Sequence, residues 1–454
     1  NSDSILRVNV QTNISSSARI EASHIEFNPD SSVQFFGDTG SFAVGNRYTN
    51  YLGQASSSID VNEINLFENN PGSIDVKNWF IDNDGLYVIF DRRSLTNQLF
   101  GFNVPRGSQA EKILSEIDSL QTDEASRMAD IIFSDTFSLN DLNKVYSRTI
   151  ALPRAVSHQR NGILRSISER ANERRIALSS FNKPSGVNGP LAKQTGTAIW
   201  SKGYSANGNA SADNNIEGYD LSGIGTIIGL DYASGKYVAG IAAGIFNQTM
   251  KMDSSGEYTG SGTHLTGYMS YGLDGWFLET SATLANSSLD FNSDGVFNLE
   301  TSYSANDLTF YFGGGYIMKN DKSSWTPEIG FILNAYDQDA AEDTSQEIVP
   351  ANLNNLSETS LQMRLGLIGG FKQDLIGREL LTQVKLRWMN SIGVSDEEMD
   401  YSLSGGSNVY QTPMLTGAKS IIEFGVGTQL RMNRSFSLLM GFDYEVGGGY
   451  SANR

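Results

Sequence analysis

The chain has 454 residues, with 33 Lys and Arg against 51 Asp and Glu, a net charge of −18, and no cysteine. That balance excludes nucleic acid as a partner, because phosphate binding needs a concentrated basic surface. Disulfides, CxxC zinc sites and cysteine nucleophiles are impossible, and His24, His158 and His264 form no HExxH pair. With 23 Phe and 19 Tyr the chain is too aromatic for a solvated coil.

A spanning helix needs about 20 apolar residues. The most apolar stretch, Met363 to Phe371, is shorter and is broken by Arg364, Gly366, Gly369 and Gly370. The start, Asn1-Ser-Asp-Ser, has neither the basic residue nor the apolar run of a secretory signal, so the chain reads as mature or excised. Mean hydropathy is −0.29, which does not exclude a β-barrel, whose lipid face is hidden in alternation.

Residues 1–108 are rich in Asn and Ser and carry short β-like runs, among them Ile5-Leu-Arg-Val-Asn-Val, Ser32-Val-Gln-Phe-Phe and Leu86-Tyr-Val-Ile-Phe. Turn residues separate them irregularly, which suits the last rungs of a β-solenoid or a small sandwich. Residues 109–190 form a helical linker. Gln109-Ala-Glu-Lys-Ile-Leu and Glu124-Ala-Ser-Arg-Met-Ala are helix formers, and Ser138 with Asp141 gives a capping-box-like start to a third helix. A longer helix is predicted over 153–178, opened by Pro153 and carrying Arg154, Arg160, Arg165, Arg170, Arg174 and Arg175. At 1.5 Å per residue it reaches about 37 Å, the scale of a bilayer.

From Thr195 the period becomes two. Leu361, Met363, Leu365 and Leu367 oppose Gln362, Arg364, Gly366 and Lys372. Likewise Ile422, Phe424 and Val426 oppose Glu423, Gly425 and Arg431. A mixed-charge, glycine-rich second face suits a polar barrel interior, although periodicity alone does not exclude a soluble sandwich. Connection lengths do. The pattern gives eleven strands, at about 195–205, 219–233, 237–249, 262–273, 275–286, 306–319, 324–337, 360–373, 379–391, 418–432 and 435–447. Tight links such as Ala233-Ser-Gly-Lys and Leu375-Ile-Gly-Arg alternate with long polar ones such as 205–217 and 338–358. Short turns at one end and long loops at the other mark an outer-membrane barrel. An odd count leaves an open edge in lipid, which does not occur, so a twelfth strand is implied and is missing from the pattern.

Ala198-Ile-Trp-Ser-Lys-Gly-Tyr, Gly229-Leu-Asp-Tyr, Ser360-Leu-Gln-Met-Arg-Leu-Gly-Leu, Ile422-Glu-Phe-Gly-Val-Gly-Thr-Gln-Leu and Phe442-Asp-Tyr-Glu-Val-Gly-Gly-Gly-Tyr follow one another along the chain. In that order they resemble the C-terminal region of bacterial autotransporters, the type V secretion family. The resemblance covers about 150–454 well and 1–110 weakly. It implies an all-β, antiparallel transmembrane barrel of twelve strands over 191–454, a helix threading its pore, and a β-rich passenger end over 1–108. The implied partners are outer-membrane lipid, the barrel assembly machinery, periplasmic chaperones and the chain's own passenger, displayed at the cell surface. The family's usual final strand, ending in an aromatic residue, is not matched by Tyr450-Ser-Ala-Asn-Arg.

An arginine-rich helix in a lumen needs carboxylates around it. Asp231, Glu279, Glu328, Glu423, Asp443 and Glu445 are the expected wall acids, with Arg364, Lys372, Lys385, Arg387 and Arg431 as wall cations. Neither a catalytic site, a cofactor site nor a metal site is expected. Gly223-Ile-Gly-Thr-Ile-Ile-Gly misses the dinucleotide fingerprint by one position and lies within a strand. The acidic groups Asp396-Glu-Glu-Met-Asp and Asp337/Asp339/Glu342/Asp343 lack EF-hand spacing and read as solvated loops. Asn161, Asn172, Asn182 and Asn188 in the linker match no self-cleavage context, and no GxSxG elbow serves a catalytic passenger. Trp200, Trp276, Trp325 and Trp388 are placed as interface-girdle residues. A secretion translocator and anchor is therefore expected, with a porin carrying an extra domain, or a surface adhesin, as the alternatives.

Overall fold

The computed structural model describes the backbone of 5–9, 20–27, 32–36, 48–61, 74–82 and 85–92, then residues 94–95, 106, 108–120, 122–133, 139–178, 196–212, 216–273, 275–293, 299–320, 322–345, 348–376, 378–392, 398–415, 419–431, 437–447 and 450–453. In the N-terminal region Ile5–Asn9 runs parallel to Ser32–Phe36, and Ile20–Phe27 parallel to Tyr48–Val61. Strands Ile74–Asp82 and Gly85–Arg92 form a hairpin on the second of these sheets.

Four helices follow: α1 (Gln109–Ser119), α2 (Asp123–Ile132), α3 (Leu139–Tyr146) and α4 (Leu152–Leu178). The Ser108 and Thr122 hydroxyls cap α1 and α2 by accepting from the backbone N–H of Glu111 and Ala125, which satisfies donors that a helix start leaves orphaned. Ser138, the expected cap of α3, lies outside the described residues.

The wall strands are β1 (Gly196–Ala210), β2 (Tyr219–Ser234), β3 (Tyr237–Met252), β4 (Gly256–Leu273), β5 (Trp276–Ser293), β6 (Glu300–Tyr316), β7 (Ser323–Gln338), β8 (Leu356–Leu375), β9 (Arg378–Ile392), β10 (Ser420–Arg431), β11 (Ser437–Gly447) and β12 (Tyr450–Asn453). Neighbours in sequence pair antiparallel, and the barrel is closed. The missing-strand expectation is corrected here. β12 pairs with β11 on one side and, through Tyr450↔Ala210 to Asn453↔Asn207, with β1 on the other. Its Tyr450 and Ala452 side chains point inward and are buried, so packing inside the barrel fixes a strand too short to show a period.

A second correction concerns strand length. The sequence pattern ends strands at the limit of their outward apolar positions, yet the structure carries them further. In β5, Trp276, Leu278, Leu284 and the residues between them at even positions face out over nine positions, the length of one tilted transmembrane strand. Beyond Leu284 the outward positions become Asn286, Ser288, Asp290 and Asn292, while Leu289 and Phe291 turn inward and are fully buried. β6 repeats this, with Tyr316, Phe312, Phe310 and Leu308 out in one part and Ser304, Ser302 and Glu300 out in the other. Alternation persists but its polarity inverts. Consequently the link between β3 and β4 shrinks from a long loop to residues 253–255.

The inward apolar residues of this outer section, including Leu221, Met250, Tyr258, Leu289, Phe291 and Tyr303, form one core with Ile113, Ile117, Met128, Ala129, Leu142 and Tyr146 of α1–α3. The interior therefore carries the charged groups that face α4 along the membrane section. At the outer end it is half of a hydrophobic core, and the first three helices are packed into the barrel mouth rather than strung out as a linker.

At the tight-turn end Tyr237 and Tyr271, Trp276 and Tyr316, and Trp325 and Phe371 pair with ring centroids 4.7, 4.9 and 5.9 Å apart. This is the aromatic girdle expected at a membrane interface. Trp388 also faces out. Trp200 does not: it lies inside the barrel, donating from Nε1 to Tyr268 Oη at 2.9 Å. It packs over Gly229 on β2, where a Cβ would lie 2.4 Å from the indole. The false dinucleotide motif is thus a strip of wall that is bare so that luminal aromatics can lie flat on it.

Candidate functional site

The functional centre is the lumen with α4 inside it. At 27 residues, α4 is about 40 Å long. Its outer end follows a backbone bridge between Ile150 and Met414 in the outer loops, where Ile150 N–H donates to Pro413 O and Leu415 N–H to Ile150 O, each at 2.8 Å. Towards its other end Arg170 reaches Asp231, three residues from the β2 terminus at a tight turn. The helix therefore runs down the pore from the loop end to the turn end. Residues 162–168 are buried without a break, which no surface helix with one apolar face shows. Gly162 is part of the fit, since a Cβ there would lie 2.9 Å from Tyr204 Cε2 on β1. Gly162→Val is expected to cost about 1–3 kcal/mol through overpacking, read as a lower urea midpoint for barrel unfolding in vesicles.

Charge is matched along the helix. Arg160 donates to Asp307 at 2.9 Å. Arg170 Nε donates to Asp231 at 2.7 Å, and its guanidinium lies 5.8 Å from the Trp200 ring centroid. Between them, Arg165 touches Glu445 at 2.6 Å, Glu423 at 2.8 Å and Asp443 at 3.1 Å. Those acids are shared with the wall: Lys385 reaches Asp443 at 2.9 Å, and Arg387 reaches Glu423 at 3.2 Å and Glu328 at 2.6 Å. Glu328 also faces Arg364 at 3.8 Å, and Arg364 donates to the Tyr311 hydroxyl. Glu169, on α4, bonds Lys385 at 2.6 Å and Lys202. Among the described residues the connected set holds Arg165, Lys202, Arg364, Lys385 and Arg387 against Glu169, Glu328, Glu423, Asp443 and Glu445: five cations and five carboxylates. A group of this size stays ionised in a dry lumen only when its charges balance and are hydrogen-bonded.

Most of the expected wall residues thus converge on the helix. Glu279 meets it through the Ser168 hydroxyl at 3.4 Å. Arg154 lies over the Tyr450 ring at 5.4 Å rather than on a carboxylate, and that tyrosine's hydroxyl is 3.1 Å from His158 Nδ1. Lys372 is half-buried near the turn end. The side chains of Arg174, Arg175 and Arg431, and residues Asn182 and Asn188, lie outside the described residues. Sequence reasoning missed Asp307, Glu169, Lys202 and a further pair at the mouth. There Arg148 binds Asp343 through two nitrogens, at 2.5 and 3.0 Å, both side chains being buried. Asp343 is therefore not part of a solvated acidic loop. Burial opposes the Arg148 charge, but Asp343 outweighs it and raises the guanidinium pKa. Among the described residues no group of three or more His, Asp and Glu is arranged to hold a metal ion.

A family model described as the autotransporter β-domain matches residues 199–444, more than half of the chain. The chain belongs to the autotransporter family. It is an outer-membrane translocator that secretes the passenger linked to its own barrel. No curated protein matches it in sequence. Solved structures similar to it are the translocator domain of the autotransporter NalP from Neisseria meningitidis, at 14% identity and a TM-score of 0.48, covering 64% of this chain and 94% of that one. The β-domain of the Bordetella autotransporter BrkA follows at 18% identity and 0.43, covering 57% and 98%. The transport unit of AIDA-I from Escherichia coli gives 16% and 0.42, covering 63% and 95%.

Proposed function

We propose that this translocator retains α4 in its pore as a permanent plug and thereby anchors residues 1–108, the passenger end, at the cell surface. The observation that carries the reading is the direction of α4: α1–α3 and Ile150, which precede it, pack against the outer loops, and the loop side of such barrels faces outward. The protein does no bond chemistry in this reading. Its work is conduction and tethering, with energy drawn from barrel assembly and from passenger folding outside. The family also supplies the accessory partners, periplasmic chaperones and the barrel assembly machinery.

Two measurements test it. Protease added to intact cells is expected to degrade residues 1–108, and their protection would reverse the topology. In planar bilayers the intact chain is expected to show small conductance that rises when 153–178 is deleted. A large conductance of the intact chain would instead favour a diffusion porin.

A further inference from the structure

The apolar inner surface of the barrel mouth has no use in a conduit. A water-filled pore is lined with polar groups, and here the polar lining stops where α1–α3 begin. Leu289, Phe291, Met250 and Tyr258 are 0% exposed and share one core with those helices, so a mouth without them would present a large wet hydrophobic surface. The contact is also specific. Glu116 of α1 accepts from the backbone N–H of Ser407 and Asn408 at 2.6 and 2.9 Å and from the Tyr410 hydroxyl at 2.7 Å. Tyr146 of α3 donates to Val349 O at 2.6 Å. Helices and outer loops are thus clamped from two sides around one core.

We infer that α1–α3 are a dedicated mouth seal, a cap that docks into its own barrel rim only after the last transiting passenger segment has cleared the pore. The seal and a second strand of polypeptide are mutually exclusive. Leu289, Phe291, Met250 and Tyr258 of the mouth have no solvent exposure, and a luminal cavity beside Arg160 and Asn161 has a volume of about 40 Å³, room for a few waters and not for a chain. The cap therefore closes the pore above α4, and its hydrophobic docking makes the finished state hard to reverse. This rests on the translocator reading, and it adds an order of events and a second barrier.

The absence of cysteine makes a direct test clean. Ile150, in the link that joins the cap to α4, and Met414 in the outer loops are bridge partners, and paired strand residues stand at a separation a disulfide spans. In full-length Ile150→Cys/Met414→Cys, an added oxidant is expected to form the cross-link in cells whose passenger has been secreted. The cross-link is expected to be lost when a cysteine-free, fast-folding domain fused to the N-terminus stalls secretion. A cross-link in the stalled chain, or none in the finished one, overturns the proposal. Surface proteolysis of the passenger in the same cells reports separately on translocation itself. As a second arm, Met128→Asp in the full chain places a charge in the cap core with α4 intact. Protease added to intact cells is expected to cut within α1–α3 while the barrel keeps its heat-modifiable gel mobility, and a folded barrel whose α1–α3 stay as protected as in the parent overturns the sealing role.

Discussion

Phe312→Arg is expected to destabilise the barrel by about 2–4 kcal/mol, the cost of a cation on the lipid face near the bilayer midplane. Phe312 faces outward and is 56% exposed in the middle of the apolar band of β6, with Leu308 above and Tyr316 below. The companion variant Ser302→Arg changes the same strand and the same face. Ser302 lies past the polarity inversion, where its hydroxyl donates to Asp290 at 2.6 Å. An arginine there stands in water beside a carboxylate, and an effect within about 0.5 kcal/mol is expected, as for ordinary surface changes. Urea unfolding of the two variants in vesicles gives the difference directly. Equal losses would place the membrane boundary elsewhere and undo the division of each strand into a lipid section and a mouth section.

That division explains what was legible in the sequence. Outward apolar positions at period two located most of the wall strands, because each lipid-facing section is a run long enough to establish a phase. Past Leu284 the phase continues with its polarity reversed, so Asn286 and Asp290 look like loop residues unless Leu289 and Phe291 are recognised as the new inner face. Tyr450–Asn453 holds too few residues to show any period, and it is set by contacts made inside the barrel: Tyr450 with His158, Ala452 in the mouth core. Which residue types line the lumen was legible from the second face of each strand. Which carboxylate meets which arginine was not, because Arg160 and Asp307 are 147 positions apart and meet only once the rotation of α4 in the pore is fixed. The same holds for Arg148 and Asp343, whose pairing depends on the cap sitting in the mouth.

Arg165→Ala is expected to be the most damaging single change in the lumen. Among the described residues it removes one of five cations, the one that touches Glu423, Asp443 and Glu445 together, and leaves Asp443 with Lys385 and Glu423 with Arg387. Breaking a buried ion pair from one side costs about 3–5 kcal/mol, because the orphaned charge stays out of water. Loss of this order is expected in the unfolding of the helix-filled barrel, together with a rise in bilayer conductance as water enters to solvate the acids. The damage is electrostatic rather than steric, and the rescue pattern shows it. Glu445→Gln in the Arg165→Ala background restores four cations to four carboxylates and is expected to recover part of the loss, with a coupling energy of about 0.5–3 kcal/mol between the two positions. Glu445→Gln alone leaves an excess cation and is expected to destabilise. If the two substitutions simply add, Arg165 is held by packing alone, and charge balance is not what keeps α4 in the pore.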